Sequence, residues 1–260
     1  MRPLSFLTLF LLVAPVGQGQ IVLPEPPDTT DFGAWTTLKA DWKPVKGLTL
    51  ELKEQVRLKD DLGALDRHFH QVSVGWSPRW SAVTKAQQLV LGSRLQSVLD
   101  NTGDKQGWER YFRWHVDHVT KVDVKRWTVV SRIRYQERSA LKLVGGDASD
   151  LDEIKRMWRI KAGLSYNIKG WKLDPRCSVE RFIAPVPEGW PGDGAWRARF
   201  GTDFKGGKRQ RIKVVLQREW RGKYLPSGTG ATLDDFRLYG NDDWALLVSW
   251  RYRFKKRKAD

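Results

Sequence analysis

Arginine and lysine repeatedly fall two residues apart in this chain, as at 132 and 134, 159 and 161, 197 and 199, 211 and 213, and 251 and 253, and that spacing is the first feature in it that can do chemistry. In an extended strand, residues two apart share a face, so cations gather on one side and the other side is left apolar. The basic side carries Lys53, Arg57, Arg113, Arg132, Arg134, Arg159, Lys161, Arg197, Arg199, Arg211, Lys213, Arg251 and Arg253. Fewer acids share it: Glu51, Glu109, Asp117, Asp203 and Glu219. If that side lines a water-filled interior, an excess of guanidinium lowers the barrier to anions and raises it to cations. Carboxylates are solutes that arginine grips with two parallel hydrogen bonds. If the interior is narrow, the same arginines and acids fill it and leave no path.

Signs of covalent or metal chemistry are sparse. No G-x-S-x-G segment is present, and the serines near histidines have no distinctive spacing. His68 and His70 are two apart, as are His115 and Asp117, which places each pair on one face of a strand. No further Cys or His cluster accompanies them, so neither a metal nor a cofactor is expected. The expectation is a protein that is not an enzyme.

The elements that must position these residues are strands, and the last one shows the pattern most clearly. From Asp243 to Phe254 the chain reads DWALLVSWRYRF, with Trp244, Leu246, Val248, Trp250, Tyr252 and Phe254 on one face and Ala245, Leu247, Ser249, Arg251 and Arg253 on the other. An aromatic exterior over a basic interior is what a transmembrane β-barrel needs in its closing strand. The 244–254 strand is also where the barrel-assembly machinery is expected to engage.

Residues 1–19 fit a cleaved signal peptide: a cation at Arg2, an apolar run from Leu4 to Val16, and small residues at Gly17 and Gly19. A leader follows at 20–31, then the barrel at 32–254 and a basic tail at 255–260. Cys177 is the single cysteine, which excludes an internal disulfide. A formal net charge of +16 would ordinarily raise nucleic acid as a partner. Base stacking, however, needs aromatics on the basic face, and here most lie opposite it, so no nucleic acid is expected. A soluble barrel binding a ligand inside would have the reverse polarity, apolar within and polar without.

Alternation predicts eleven strands, with weak register near 68–77 and 88–98. Bacterial single-chain barrels have even numbers, so the expectation is ten to twelve: either a twelfth lies in Ala231–Leu238 or Gln20–Leu23, or two of the weakly patterned strands are one, giving ten. Short connections at Ile168–Trp171 and Lys205–Lys208 contrast with longer ones at Leu143–Glu153, Pro185–Gly194 and Arg221–Asn241. On the apolar face, Trp127 and Tyr135, Trp158 and Tyr166, and Trp244 and Tyr252 are each eight residues apart. Eight steps span about 26 Å of strand, or about 20 Å across a membrane at a tilt near 40°. With Trp196, these residues read as two aromatic girdles.

The ordered segments FGAW (32–35), EQVR (54–57), RYFRWHVD (110–117), SRIRYQER (131–138), RIKAGLSYNIKG (159–170), Pro175 with Glu180-Arg181-Phe182, ARFGTDF (198–204) and the final WRYRF carry a resemblance. Together they are similar to the bacterial outer-membrane proteins grouped as domain of unknown function 2490, over about Phe32 to Phe254. Arg176 stands where that family commonly has an aromatic after the proline, and Lys255–Asp260 extends past the usual terminal aromatic. The resemblance implies an outer-membrane barrel and no particular activity. The expectation is therefore an all-β, antiparallel transmembrane barrel in the cell outer membrane, surrounded by outer-membrane lipid. Its lumen is basic, porin-like and open to small anionic solutes. The alternatives are a non-conducting barrel acting through its long outer loops and, less favoured, an outer-membrane lipid-modifying enzyme.

Overall fold

The computed structural model describes residues 31–78, 86–100, 106–144, 154–183, 194–206, 209–225 and 237–254. These form eleven strands: β1 (Asp31–Trp42), β2 (Leu48–Lys59), β3 (Ala64–Trp76), β4 (Gln87–Asp100), β5 (Gly107–Val124), β6 (Trp127–Lys142), β7 (Ile154–Tyr166), β8 (Leu173–Ile183), β9 (Gly194–Phe204), β10 (Gln210–Leu225) and β11 (Arg237–Arg253). Each pairs with the next in sequence, and β11 returns to β1, so the sheet closes into a barrel.

Eleven is the number that alternation predicts and lies within the expected ten to twelve, while the closing seam departs from an even count and from wholly antiparallel pairing. β1 and β11 run parallel, from Asp31 opposite Asp243 to Asp41 opposite Arg253. Hairpins reverse direction at each step, so with an odd count the first and last strands point the same way and only a parallel seam can close the sheet. Segment 20–23 and residues 231–236, where a twelfth strand was expected, lie outside the described residues, and Leu238 belongs to β11.

One mouth carries connections 43–47, 77–86, 125–126, 167–172 and 205–209, and the other carries 60–63, 101–106, 143–153, 184–193 and 226–236. The longer connections expected from the sequence therefore share a mouth. The exception is 221–241, whose two ends are strand: the β10–β11 ladder runs on from Trp220 opposite Asp242 to Leu225 opposite Arg237, and 226–236 lie outside the described residues. A hairpin at a barrel mouth needs no unbroken apolar face, so alternation gave no signal there. At the short-turn mouth, Lys125 takes φ 54° in the two-residue link from β5 to β6.

Polarity is inverted relative to a water-soluble barrel. Among the described residues the buried apolar side chains are few, Phe69, Phe182, Val215 and Ala245, while His115, Glu180 and Gln217 are at most 1% exposed. Outside, Leu52, Leu91 and Phe200 stand 56%, 59% and 67% exposed. Outward aromatics fall in two tiers. Trp127 lies opposite Tyr166 with ring centroids 4.6 Å apart, and eight residues along the same strands Tyr135 lies opposite Trp158 at 5.0 Å. Trp114 extends the second tier, 5.6 Å from Tyr135. Trp196 sits opposite Trp220, and Trp244 follows one strand on. Their eight-residue counterparts, Phe204 and Tyr252, point toward the short-turn mouth, where Tyr252 packs 5.0 Å from Phe254. Two outward arginines rest on the second tier: Arg181 lies 5.0 Å from the Trp196 ring and Arg218 5.4 Å from that of Trp244.

Candidate functional site

Register and burial place all thirteen basic residues singled out in the sequence on the inward side of their strands. Arg113, Arg134, Arg159 and Arg197 are nearly buried, whereas Arg211 and Arg253 reach the short-turn mouth and are exposed.

At the waist of the barrel several of them converge on a carboxylate that alternation had not marked as chemistry, Glu180 on β8. Arg132 donates to its Oε1 at 2.5 Å and Arg159 at 2.9 Å, while Arg197 reaches Oε2 at 3.5 Å and Arg199 lies at 3.9 Å. Strands β6, β7 and β9 are thus tied to β8 through one side chain. Arg197 also forks onto Glu219, with its Nε donating at 2.7 Å. Arg134 grips Asp117 with two bonds of 2.6 and 2.7 Å. Bidentate guanidinium–carboxylate pairs of this kind are the strong form of the interaction.

Three inward aromatics join the same layer. Arg57 lies 3.8 Å from the Trp35 ring and 5.7 Å from that of Phe69, and Arg94 lies 3.5 Å from Phe69. Phe182 has Arg159 and Arg197 each 4.5 Å away, and Arg197 is also 5.7 Å from Trp35. Arg197, rooted on β9, therefore reaches rings on β8 and β1. Phe69 and Phe182 were missed because an aromatic on the polar face carries no alternation signal of its own.

Glutamines provide a second kind of partner. Arg57 donates to Gln55 at 2.9 Å, Arg94 to Gln71 at 2.5 and 3.0 Å, and Arg199 to Gln217 at 2.8 Å. An amide oxygen satisfies a guanidinium N–H without cancelling its charge. Nearer the short-turn mouth, Lys39 bonds Glu51 at 3.3 Å, and Arg251 reaches both Asp41 and Glu51 at 3.3 Å across the closing seam. Lys161 and Lys213 make no hydrogen bond or ion pair among the described residues, and Arg113 keeps Nε and Nη2 unpartnered there.

The histidines do not assemble into a centre. His115 is fully buried, its ring lying where a Cβ on Gly92 would come within 2.3 Å of Cε1, so residue 92 has to be glycine for the ring to fit. Its neighbour two residues on, Asp117, is held by Arg134. His68 and His70 face outward, His70 against Glu54 and His68 with its ring 5.2 Å from Trp108. No group of three or more His, Cys, Asp or Glu side chains placed to hold a metal occurs among the described residues. The chain matches no protein-family model, and no curated protein matches it.

Proposed function

We propose that this chain is an outer-membrane β-barrel of the kind its segments resemble, domain of unknown function 2490, and that its lumen prefers small anions. The inverted polarity supports the membrane: apolar side chains cover the outer wall between two aromatic tiers, and charge fills the interior. One observation carries the anion preference. After every ion pair among the described residues is assigned, Lys53, Arg57, Arg94, Arg113, Lys161 and Lys213 face inward with no carboxylate in pairing distance. No covalent chemistry is assigned to the lumen, whose central carboxylates Asp117, Glu180 and Glu219 are all engaged by arginine.

The test is the reversal potential of the refolded protein in a planar bilayer under a salt gradient. An anion-selective conductance is expected, and Lys53→Glu with Arg113→Glu, which break no carboxylate pair, shift it toward cations. Arg132, Arg134, Arg197 and Arg199 are poorer choices, because reversal there also breaks the pairs with Glu180, Asp117 or Glu219. The packed layer of Glu180, Phe69 and Phe182 favours a second reading, a barrel closed at its waist that works through the mouth with the longer connections. Inserted protein that carries no current selects that reading.

Val248 lies midway between Trp244 and Tyr252 on the outward face of β11 and is 39% exposed. If this face meets lipid, Val248 sits at mid-depth, and Val248→Arg costs about 2–4 kcal/mol of folding stability. Urea titration of folding into lipid vesicles measures it. An unchanged midpoint would show that this wall does not face hydrocarbon.

A further inference from the structure

We infer that the lumen holds a dianion-binding recess just on the short-turn side of Glu180, formed by Lys161, Arg176, Ser178, Arg199 and Lys213, and suited to a phosphate-type oxyanion. This deepens the anion-preferring reading of the lumen and rests on it for the route by which solute arrives.

Two inward positions of the surrounding wall are glycines: Gly163 presents no side chain to the lumen, and at Gly201 the backbone lies close against Val214 and Val215. Gly163 lies across from Ser178, and Gly201 lies between Arg176 and Val215 in register. The side chains of four successive strands, β7 to β10, converge around a narrow gap of about 10 Å³, room for one water, lined by Lys161, Arg176, Cys177, Ser178, Arg199, Lys213 and Val215. Two of its cations, Lys161 and Lys213, lack any hydrogen bond or ion pair among the described residues.

The acids nearby are engaged through some of their oxygens, Asp203 through Oδ2 while its Oδ1 has no partner among the described residues. Asp203 accepts from Arg176 at 2.6 Å and faces Arg211 at 3.6 Å, and Glu180 is shared among four arginines. Arg199 spends its Nε on neutral Gln217 and lies 3.9 Å from Glu180, the longest of the four contacts to that carboxylate. Two free ammonium groups, two guanidinium groups and one hydroxyl are donors enough for the several acceptor oxygens of a tetrahedral dianion. Chloride, with one charge and no fixed acceptor geometry, uses few of them.

Inorganic phosphate is the probe, titrated calorimetrically into the full mature chain refolded in detergent, with sulfate as competitor and Lys172→Gln in the β7–β8 connection as control. Saturable binding is expected, displaced by sulfate and weakened by about tenfold or more in Lys161→Gln/Lys213→Gln. The unaltered chain gives an independent reading: phosphate should protect Lys161 and Lys213, but not Lys172, from acetylation read by mass spectrometry. Absence of saturable binding, or equal labelling of Lys161 and Lys213 with and without phosphate, overturns the inference. The detergent assays need no ion flow. A barrel that holds phosphate but carries no current overturns only the conducting reading, and one that conducts anions without holding phosphate overturns only the recess.

Discussion

Glu180→Gln is expected to destabilise the barrel by roughly 3–5 kcal/mol, the range for removing one partner from a buried ion pair. Glu180 is 1% exposed and receives Arg132, Arg159, Arg197 and Arg199 from three neighbouring strands. Glutamine keeps the size and one acceptor oxygen but leaves four guanidinium groups facing one another in a shared interior. Their mutual repulsion then adds to the lost attraction, because little water separates them. The nearest remaining carboxylate in this group is Glu219, already taken by Arg197. Urea unfolding of the refolded variant, followed by tryptophan emission, reads the loss. A midpoint equal to the parent's would mean that the arginines are solvated singly and that Glu180 does not hold the waist. High salt separates the causes, since screening restores the variant if repulsion dominates.

Gly201→Ala is expected to disturb the β9–β10 pairing as severely, by a steric route. A Cβ at 201 would lie 2.2 Å from the carbonyl oxygen of Val214, 2.7 Å from the Cα of Val215 and 2.8 Å from its Cγ2. Two of these are backbone atoms of a paired strand, which cannot swing aside as a side-chain tip can. The cost is placed at or above the upper end of the roughly 1–3 kcal/mol typical of overpacking. Hydrogen exchange localises it: amides of 214–216 on β10, opposite Gly201 and its neighbours, should lose protection before those of β5 and β6. Full protection with an unchanged unfolding midpoint would show that the ladder can widen at this point.

Alternation made most of the wall legible. Two-residue periodicity put Arg132 and Arg134, Arg159 and Lys161, and Arg197 and Arg199 on the inward side of β6, β7 and β9, because a strand's period does not depend on what lies beside it. Which cation meets which acid depends on the neighbouring strand and its stagger, and neither is written in one strand's pattern. Glu180 stood in a recognisable segment, yet its role emerges only when β6, β7 and β9 are laid alongside β8. Arg94 was passed over because Ser93 and Ser97 break the apolar face of β4. The inward Trp35, Phe69 and Phe182 follow a different logic, in which an aromatic on a polar face serves as a surface for guanidinium. The even-number expectation failed because it came from a rule about barrels in general rather than from any residue in the chain.

The parallel seam also has a kinetic meaning. Every other contact between strands joins sequence neighbours through a connection of at most about a dozen residues, whereas β1 meets β11 across nearly the whole chain. Loop closure grows costlier by about 0.6 kcal/mol per doubling of length, so joining ends roughly 200 residues apart costs about 3–4 kcal/mol more than closing a short hairpin. Parallel pairing is also slightly weaker per residue than antiparallel pairing. The seam is therefore the contact that forms last during assembly. It is also the one stretch where the finished wall is held by the weaker kind of ladder, running between Asp31–Asp41 and Asp243–Arg253.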